Sequence, residues 1–149
     1  MPSWMQRYEV LGLLRTVTMS MKGILDDHLH PHDISGQQGR IIGIVHEWNV
    51  EGKPVRQLDI QQMLGITGAS TTSLLQGLER KGFISRQVSE GDGRAKELVV
   101  TEKGRELMED FDEIFRDTQA LLLRDFSAEE RWMLTALLRR MIANVDPPA

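Results

Sequence analysis

The stretch "DIQQMLGITGASTTSLLQGLERKGF", residues 59–83, constrains the fold more than any other part of the chain. Ile60, Met63 and Leu64 fall on one side of a short helix from Asp59 to Leu64. "LGIT" is a tight corner, with Gly65 as the turn and Thr67 as the cap of the next helix. That second helix, about 67–81, places Thr71, Leu74, Leu75 and Leu78 at i, i+3, i+4 and i+7, and Gly82 ends it. Two strands follow at once, "FISRQV" and "KELVV", joined by "SEGDGRA". A two-helix corner that runs straight into a hairpin is a winged helix-turn-helix pattern, with the wing at about 84–100.

Long helices flank this centre. Val10, Leu13, Leu14, Val17, Met21, Ile24, Leu25 and His28 form one apolar stripe, which Pro31 ends near His30. Ser35 caps a second helix with Ile41, Ile44, Val45 and Trp48 inward, and "NVEGKP" stops it. After the hairpin, Thr101 caps a long helix carrying Leu107, Phe111, Ile114, Phe115 and Leu122. Ser127 and Glu130 have capping-box spacing and open a last helix with Leu134, Leu137, Leu138, Met141, Ile142 and Val145. The end, "DPPA", reads as a frayed tail. The expected fold is mainly α with a small β-hairpin wing. A winged helix-turn-helix lobe at 35–105 is flanked by a helical dimerisation region, 5–34 and 106–145. The terminal arms are apolar over wide stripes, widened by Trp132, Met133 and Ala136, and one copy offers little core to cover them. A two-fold partner would supply it.

Composition removes several function classes. No apolar run approaches the ~18–20 residues of a membrane span, and the first ten residues lack the pattern of a signal peptide. None of the 149 residues is cysteine, which excludes disulfides, thiolate metal sites and a thiol-based sensor, and fits a cytoplasmic protein. The net charge of -4 hides an uneven distribution. Lys53–Arg105 holds nine Lys/Arg against six Asp/Glu, a local +3, and the two ends together carry -7. A basic middle suits a phosphate-bearing partner.

The second helix of the corner turns Ala69, Ser73, Gln76 and Arg80 away from its apolar face, with Ser70, Thr72 and Gly77 flanking it. Small polar side chains let a helix approach base edges in a major groove. An ordinary solvated face has the same composition, so the neighbours carry the weight: a turn before it and a basic hairpin, with Arg86, Arg94 and Lys96, after it. Arg94 stands at the hairpin tip, and an arginine at a protruding tip suits a narrow minor groove. Asp92, two residues earlier, could pair with Arg94 or cap the turn and so aim the side chain.

"LGITGASTTSLLQGLERKGFISR" followed by "DGRAKELVVTEKGREL" resembles the MarR family of bacterial transcriptional regulators. The more specific part is Asp92-x-Arg94 in the wing, then Thr101-x-x-Gly104 at a helix start. The resemblance implies a homodimer on pseudo-palindromic double-stranded DNA. Ser70, Thr72, Ser73 and Gln76 would face bases or phosphates, with Arg80, Arg86 and Lys96 beside them. Arg94 would enter the minor groove, oriented by Asp92. Ser73 and Gly93 stand where basic residues are common, and Gln61 where a small residue packs the two helices. The resemblance also implies a small anionic aromatic effector. Arg15, His28, His46 and Trp48 are candidates to line its pocket, with a charged group for a carboxylate and an indole for stacking.

Other sites are weaker. "HLHPH" offers three imidazoles, but Pro31 breaks the helix that would align His28 with His32, and no metal or cofactor is expected. "HEWNV" has Val50 where a zinc-protease motif needs its second His. No nucleophile elbow or Walker motif is present, so no enzyme is expected. The reading is a ligand-responsive homodimeric repressor. Two alternatives stay open: a winged-helix module that binds protein, and a ligand- or metal-binding protein with a vestigial DNA lobe.

Overall fold

The computed structural model describes residues 2–89 and 91–146, without the side chains of Trp4, Met5 and Asp92. The expected frayed tail, beyond Asp146, lies outside the described residues. Helices α1 (Ser3–Arg7), α2 (Glu9–Leu29), α3 (Gly36–Val50), α4 (Gln57–Leu64) and α5 (Gly68–Arg80) precede strands β1 (Ile84–Ser89) and β2 (Asp92–Val100). Helices α6 (Glu102–Leu122) and α7 (Ala128–Val145) follow. The chain divides into two compact units, Met1–Ile114 and Phe115–Ala149.

The corner forms as its sequence dictates. Asp59 accepts a hydrogen bond from the Arg56 amide (2.8 Å), which starts α4 two residues earlier than the apolar pattern does. Gly65 ends α4 in the left-handed region (φ 62°), where glycine carries no steric penalty. The Thr67 hydroxyl then accepts from the Ser70 amide and caps α5. Ile60, Thr71, Leu75 and Leu78 are completely buried with Ile41, Ile42, Val45 and Val55. Met63 is not part of this core: it is exposed, and α4 is anchored by the buried Ile60 with Leu64 packed against the core. Gln61 finds its space over Gly68, where an added Cβ would meet Gln61 Oε1 at 3.3 Å. The long side chain is thus accommodated by a missing one.

The wing is a two-stranded antiparallel hairpin, with Ile84 opposite Val100 and Val88 opposite Lys96. Here the structure corrects the sequence reading. β2 starts at Asp92 rather than Lys96, and the register shifts between Val88 and Ser89, so that Ser89 pairs with Asp92. Gly93, Arg94 and Ala95 therefore form a bulge within the strand, not a loose tip. Asn49 pins the root of the wing to α3. Its Nδ2 donates to the Leu98 carbonyl (3.2 Å) and its Oδ1 accepts from the Val100 amide (2.9 Å). The Leu98 amide donates to the Val55 carbonyl, so the edge of β2 away from β1 is also engaged near its end.

At the N-terminus of α6 the Thr101 hydroxyl accepts from the Gly104 amide and donates to the Gly82 carbonyl. Leu107 and Phe111 carry α6 into the core. On α3, Ser35 and Gln38 make a reciprocal capping box, and Gln38 Nε2 donates onward to the Leu74 carbonyl. The first long helix departs from its apolar stripe. Only Gly12 and Leu29 are buried on α2, while Val10, Leu13, Val17 and His28 are exposed. Within the second unit, Ser127 and Glu130 form the expected box on α7, yet no residue of α7 is buried. The stripe is a helix pattern without an intramolecular cover.

Candidate nucleic-acid interface

Helix α5 delivers its outward face as the spacing predicts. Ala69, Ser70, Ser73, Gln76 and Arg80 are all exposed. The Ser70 hydroxyl accepts from Thr67 Oγ1 (2.9 Å), which leaves its own proton available to an external acceptor. Gly77 belongs to the other side. It is buried, and an added Cβ there would lie 2.7 Å from Gln38 Nε2.

Thr72 and Arg86, both expected contact residues, are held by side chains of other elements. Thr72 is half-buried: it accepts from Gln57 Nε2 (2.7 Å) and donates to the Gly68 carbonyl (2.9 Å). Arg86 is half-buried too, with Nε on Glu79 Oε1 and Nη1 on Gln57 Oε1 (3.2 Å). Sequence reasoning assigned both outward and missed Gln57 and Glu79 altogether. The only signal for the ion pair was an acid at the end of a helix and a base seven residues on, across the Gly82 turn.

Arg94 and Lys96 are exposed on β2 of the wing, and the side chain of Asp92 lies outside the described residues. The basic middle of the chain is more neutralised than its count suggests. Ion pairs engage Lys53 with Glu51, Lys81 with Asp33, Arg86 with Glu79 and Arg105 with Glu102. The hydrogen bond and charge of Glu51 raise the Lys53 pKa further above its ordinary value. Arg80, Arg94 and Lys96 are exposed on α5 and the wing, all within one helix–hairpin unit.

Residues 32–95 match the MarR family model. The chain is 32% identical to MepR, a transcription regulator of the Staphylococcus aureus multidrug efflux pump MepA. The match covers 89% of this chain and 96% of that one, with a TM-score of 0.73. The same regulator in a complex with DNA matches at 32% identity over 89% and 97% of the two chains, TM-score 0.72. A putative MarR family transcriptional regulator from Clostridium acetobutylicum matches at 32% identity over 91% and 98%, TM-score 0.69. The chain belongs to the MarR family.

The four effector-pocket candidates of this MarR protein are spread out. Arg15 and His28 are exposed on α2, and His28 Nδ1 is hydrogen-bonded to the Ile24 carbonyl (2.9 Å). His28, expected on the apolar stripe, is thus not covered; Leu29, one residue on, takes the buried position. His46 is half-buried on α3, its Nδ1 enclosed without a hydrogen bond. Trp48 packs against the core. Among the described residues, no hydrogen bond, ion pair or ring contact joins these four. An open hollow of about 440 Å³ lies elsewhere, between the α3–α4 loop and the wing, lined by Asn49, Lys53, Gln87, Val88 and Glu97 among others. The His32 ring meets Phe83 edge-on at 6.2 Å, and among the described residues no three His, Asp or Glu side chains gather as a metal-binding set. Among the described residues no helix is long and apolar enough to cross a membrane.

Proposed function

We propose that the protein is a homodimeric repressor that binds a pseudo-palindromic operator and is released by a small aromatic effector. The observation that carries the DNA-binding part is the exposed small polar face of α5 set beside a wing that presents Arg94 and Lys96. Ser70, Ser73, Gln76 and Arg80 would read or flank bases in the major groove, and Arg94 would enter the minor groove. That MepR, 32% identical, has been seen on DNA supports the reading. The role is non-enzymatic and cytoplasmic, where the operator is.

Dimerisation would cover the exposed apolar residues of α7 and place two recognition helices about 34–36 Å apart, one turn of DNA. MepR has also been seen with ethidium bromide, an aromatic cation. An effector screen therefore spans aromatic anions and cations alike. An effector that prefers a spacing of the two DNA-binding lobes unsuited to DNA lowers affinity by its differential binding to the two states.

A gel-shift titration against the DNA flanking the protein's own gene, at two salt concentrations, tests the core of this. Specific binding that weakens steeply with salt is expected. If neither that DNA nor a random-sequence selection yields a bound sequence, the surface serves a protein partner instead.

A further inference from the structure

We propose that Gln57, Thr72, Glu79 and Arg86 form a positioning group that sets the geometry between the recognition helix and the wing, and that Arg86 acts through it rather than on a DNA phosphate. The proposal deepens the DNA-binding reading and rests on it for its functional consequence.

The connections run in one path. Arg86, on β1, donates from Nε to Glu79 near the end of α5 and from Nη1 to Gln57, the first residue of α4. Gln57 then donates to the Thr72 hydroxyl, which donates to the Gly68 carbonyl. Thr72 and Glu79 are seven residues apart, two helical turns, so they lie along one edge of α5. The recognition helix is therefore held at two levels, both from the wing strand and from the helix before it. The guanidinium is a rigid planar fork, so its two partners are fixed in angle as well as distance. The Arg86 and Glu79 side chains are only 26% and 31% exposed, which reduces the solvent screening that makes open surface pairs weak. On the opposite side Asn49 already fixes the wing to α3. The Arg86 group is what fixes it to α5.

The consequence is counterintuitive in sign. Removing the Glu79 charge takes a negative group away from the neighbourhood of bound phosphates, which on simple electrostatics tightens binding. If Glu79 positions Arg86, its loss weakens binding instead. A lysine at 86 keeps the charge, and so would preserve a phosphate contact, but it cannot hold both partners in the fork geometry.

The test has two arms. The chain contains no cysteine, so Ser73→Cys and Val88→Cys, on the exposed faces of α5 and the wing, accept nitroxide labels without other changes. Pulsed electron resonance on labelled protein diluted with unlabelled protein gives the helix-to-wing distance without DNA. A narrow distribution is expected in the parent, and a broader or shifted one with Glu79→Gln, Arg86→Lys or Gln57→Ala. In the second arm Glu79→Gln and Arg86→Lys each bind the selected operator about tenfold more weakly, the scale of removing one charge-assisted hydrogen bond from a network. The salt slope stays at the parent value, whereas removal of a phosphate contact would reduce it by about 0.9. Circular dichroism checks that each variant is folded, and Gln57→Ala, which leaves the ion pair in place, serves if Arg86→Lys is not. Unchanged distance distributions in the folded variants, or a Glu79→Gln protein that binds DNA as tightly as the parent or tighter, overturn the proposal. If the parent binds no DNA at all, the regulator reading fails, and the distance arm still decides the positioning group.

Discussion

Gly104 approaches the carbonyl of Phe83 so closely that a Cβ atom added to it would lie 2.5 Å from that oxygen, and equally close to Val100 Cγ2. This is where α6 packs onto the root of the wing, and it explains why glycine follows Thr101 at that spacing. Gly104→Ala adds the helix preference of alanine, up to about 1 kcal/mol in its favour. The clash is with backbone, which cannot rotate away, and such overpacking costs about 1–3 kcal/mol. The net expectation is destabilisation, seen as a lower urea midpoint with an unchanged m-value. A midpoint equal to the parent's would mean that α6 can shift without cost.

Gly77→Ala is the instructive contrast. The new Cβ would lie 2.7 Å from Gln38 Nε2, but this is the end of a flexible side chain. Gln38 can swing off, but at the loss of two long bonds, 3.4 Å from its Nε2 to the Leu74 carbonyl and 3.2 Å from the Ser35 amide to its Oε1. Two hydrogen bonds of ordinary strength contribute about 1–3 kcal/mol together, and alanine in a helix recovers up to about 1 kcal/mol. Gly77→Ala is therefore expected to destabilise by about 1 kcal/mol, with the cap of α3 loosened. Unchanged hydrogen exchange at the first amides of α3 would show that Gln38 yields without leaving the cap.

Asn49 is a half-buried side chain that stands in for a strand. It satisfies the Val100 amide and the Leu98 carbonyl. Asn49→Ala leaves both backbone groups without that partner, at about 1–3 kcal/mol for an unsatisfied buried group. Hydrogen exchange at the Val100 amide should accelerate more than at the amides of α3. Uniform acceleration across the lobe would instead indicate global destabilisation with no local role for the clasp.

The corner, its caps and the long helices were legible in the sequence because each rests on local chemistry. Gly65, Thr67, Ser35 and Ser127 act within four residues of themselves. The exposed face of α5 was legible for a related reason, since four buried positions fix where the rest must point. What escaped was set by residues distant in sequence. The internal bonds of Arg86 escaped because its charge is visible in the sequence while its partners, Gln57 and Glu79, are not adjacent to it. The bulge that carries Arg94 arises from a register shift that no turn residue announces. Helix α2 kept its apolar stripe in sequence but not in burial, because periodicity reports a face and not what covers it.

Arg94→Ala tests the wing as a DNA probe. The side chain is exposed within the strand bulge, and removing one minor-groove interaction should cost about 1–3 kcal/mol of operator binding. The salt slope should fall by roughly one, in contrast with the Arg86 and Glu79 variants. A parallel titration with Gln76→Ala separates the two surfaces, since removing a base-reading side chain from α5 relaxes sequence preference and not the salt slope. Parent-like affinity in Arg94→Ala would remove the wing from the interface.

Helix α7 is where the proposed dimer is tested. Trp132, Ile142 and Val145 are 70%, 66% and 86% exposed, and none of its residues is buried within the chain. Such a surface on a capped, regular helix is what a second copy covers in a two-fold interface. Ile142→Glu would place an unpaired carboxylate in that interface, and by symmetry twice over. Burial of an unpaired charge costs several kcal/mol, enough to shift a dimer toward monomers at micromolar concentration. Sedimentation equilibrium is expected to give twice the chain mass for the parent and the single chain mass for Ile142→Glu, with helix content unchanged by circular dichroism. Operator affinity should fall in step, because one recognition helix then binds one half-site without the other. If Ile142→Glu remains a dimer, α7 is not the interface, and its apolar stripe belongs to some other partner.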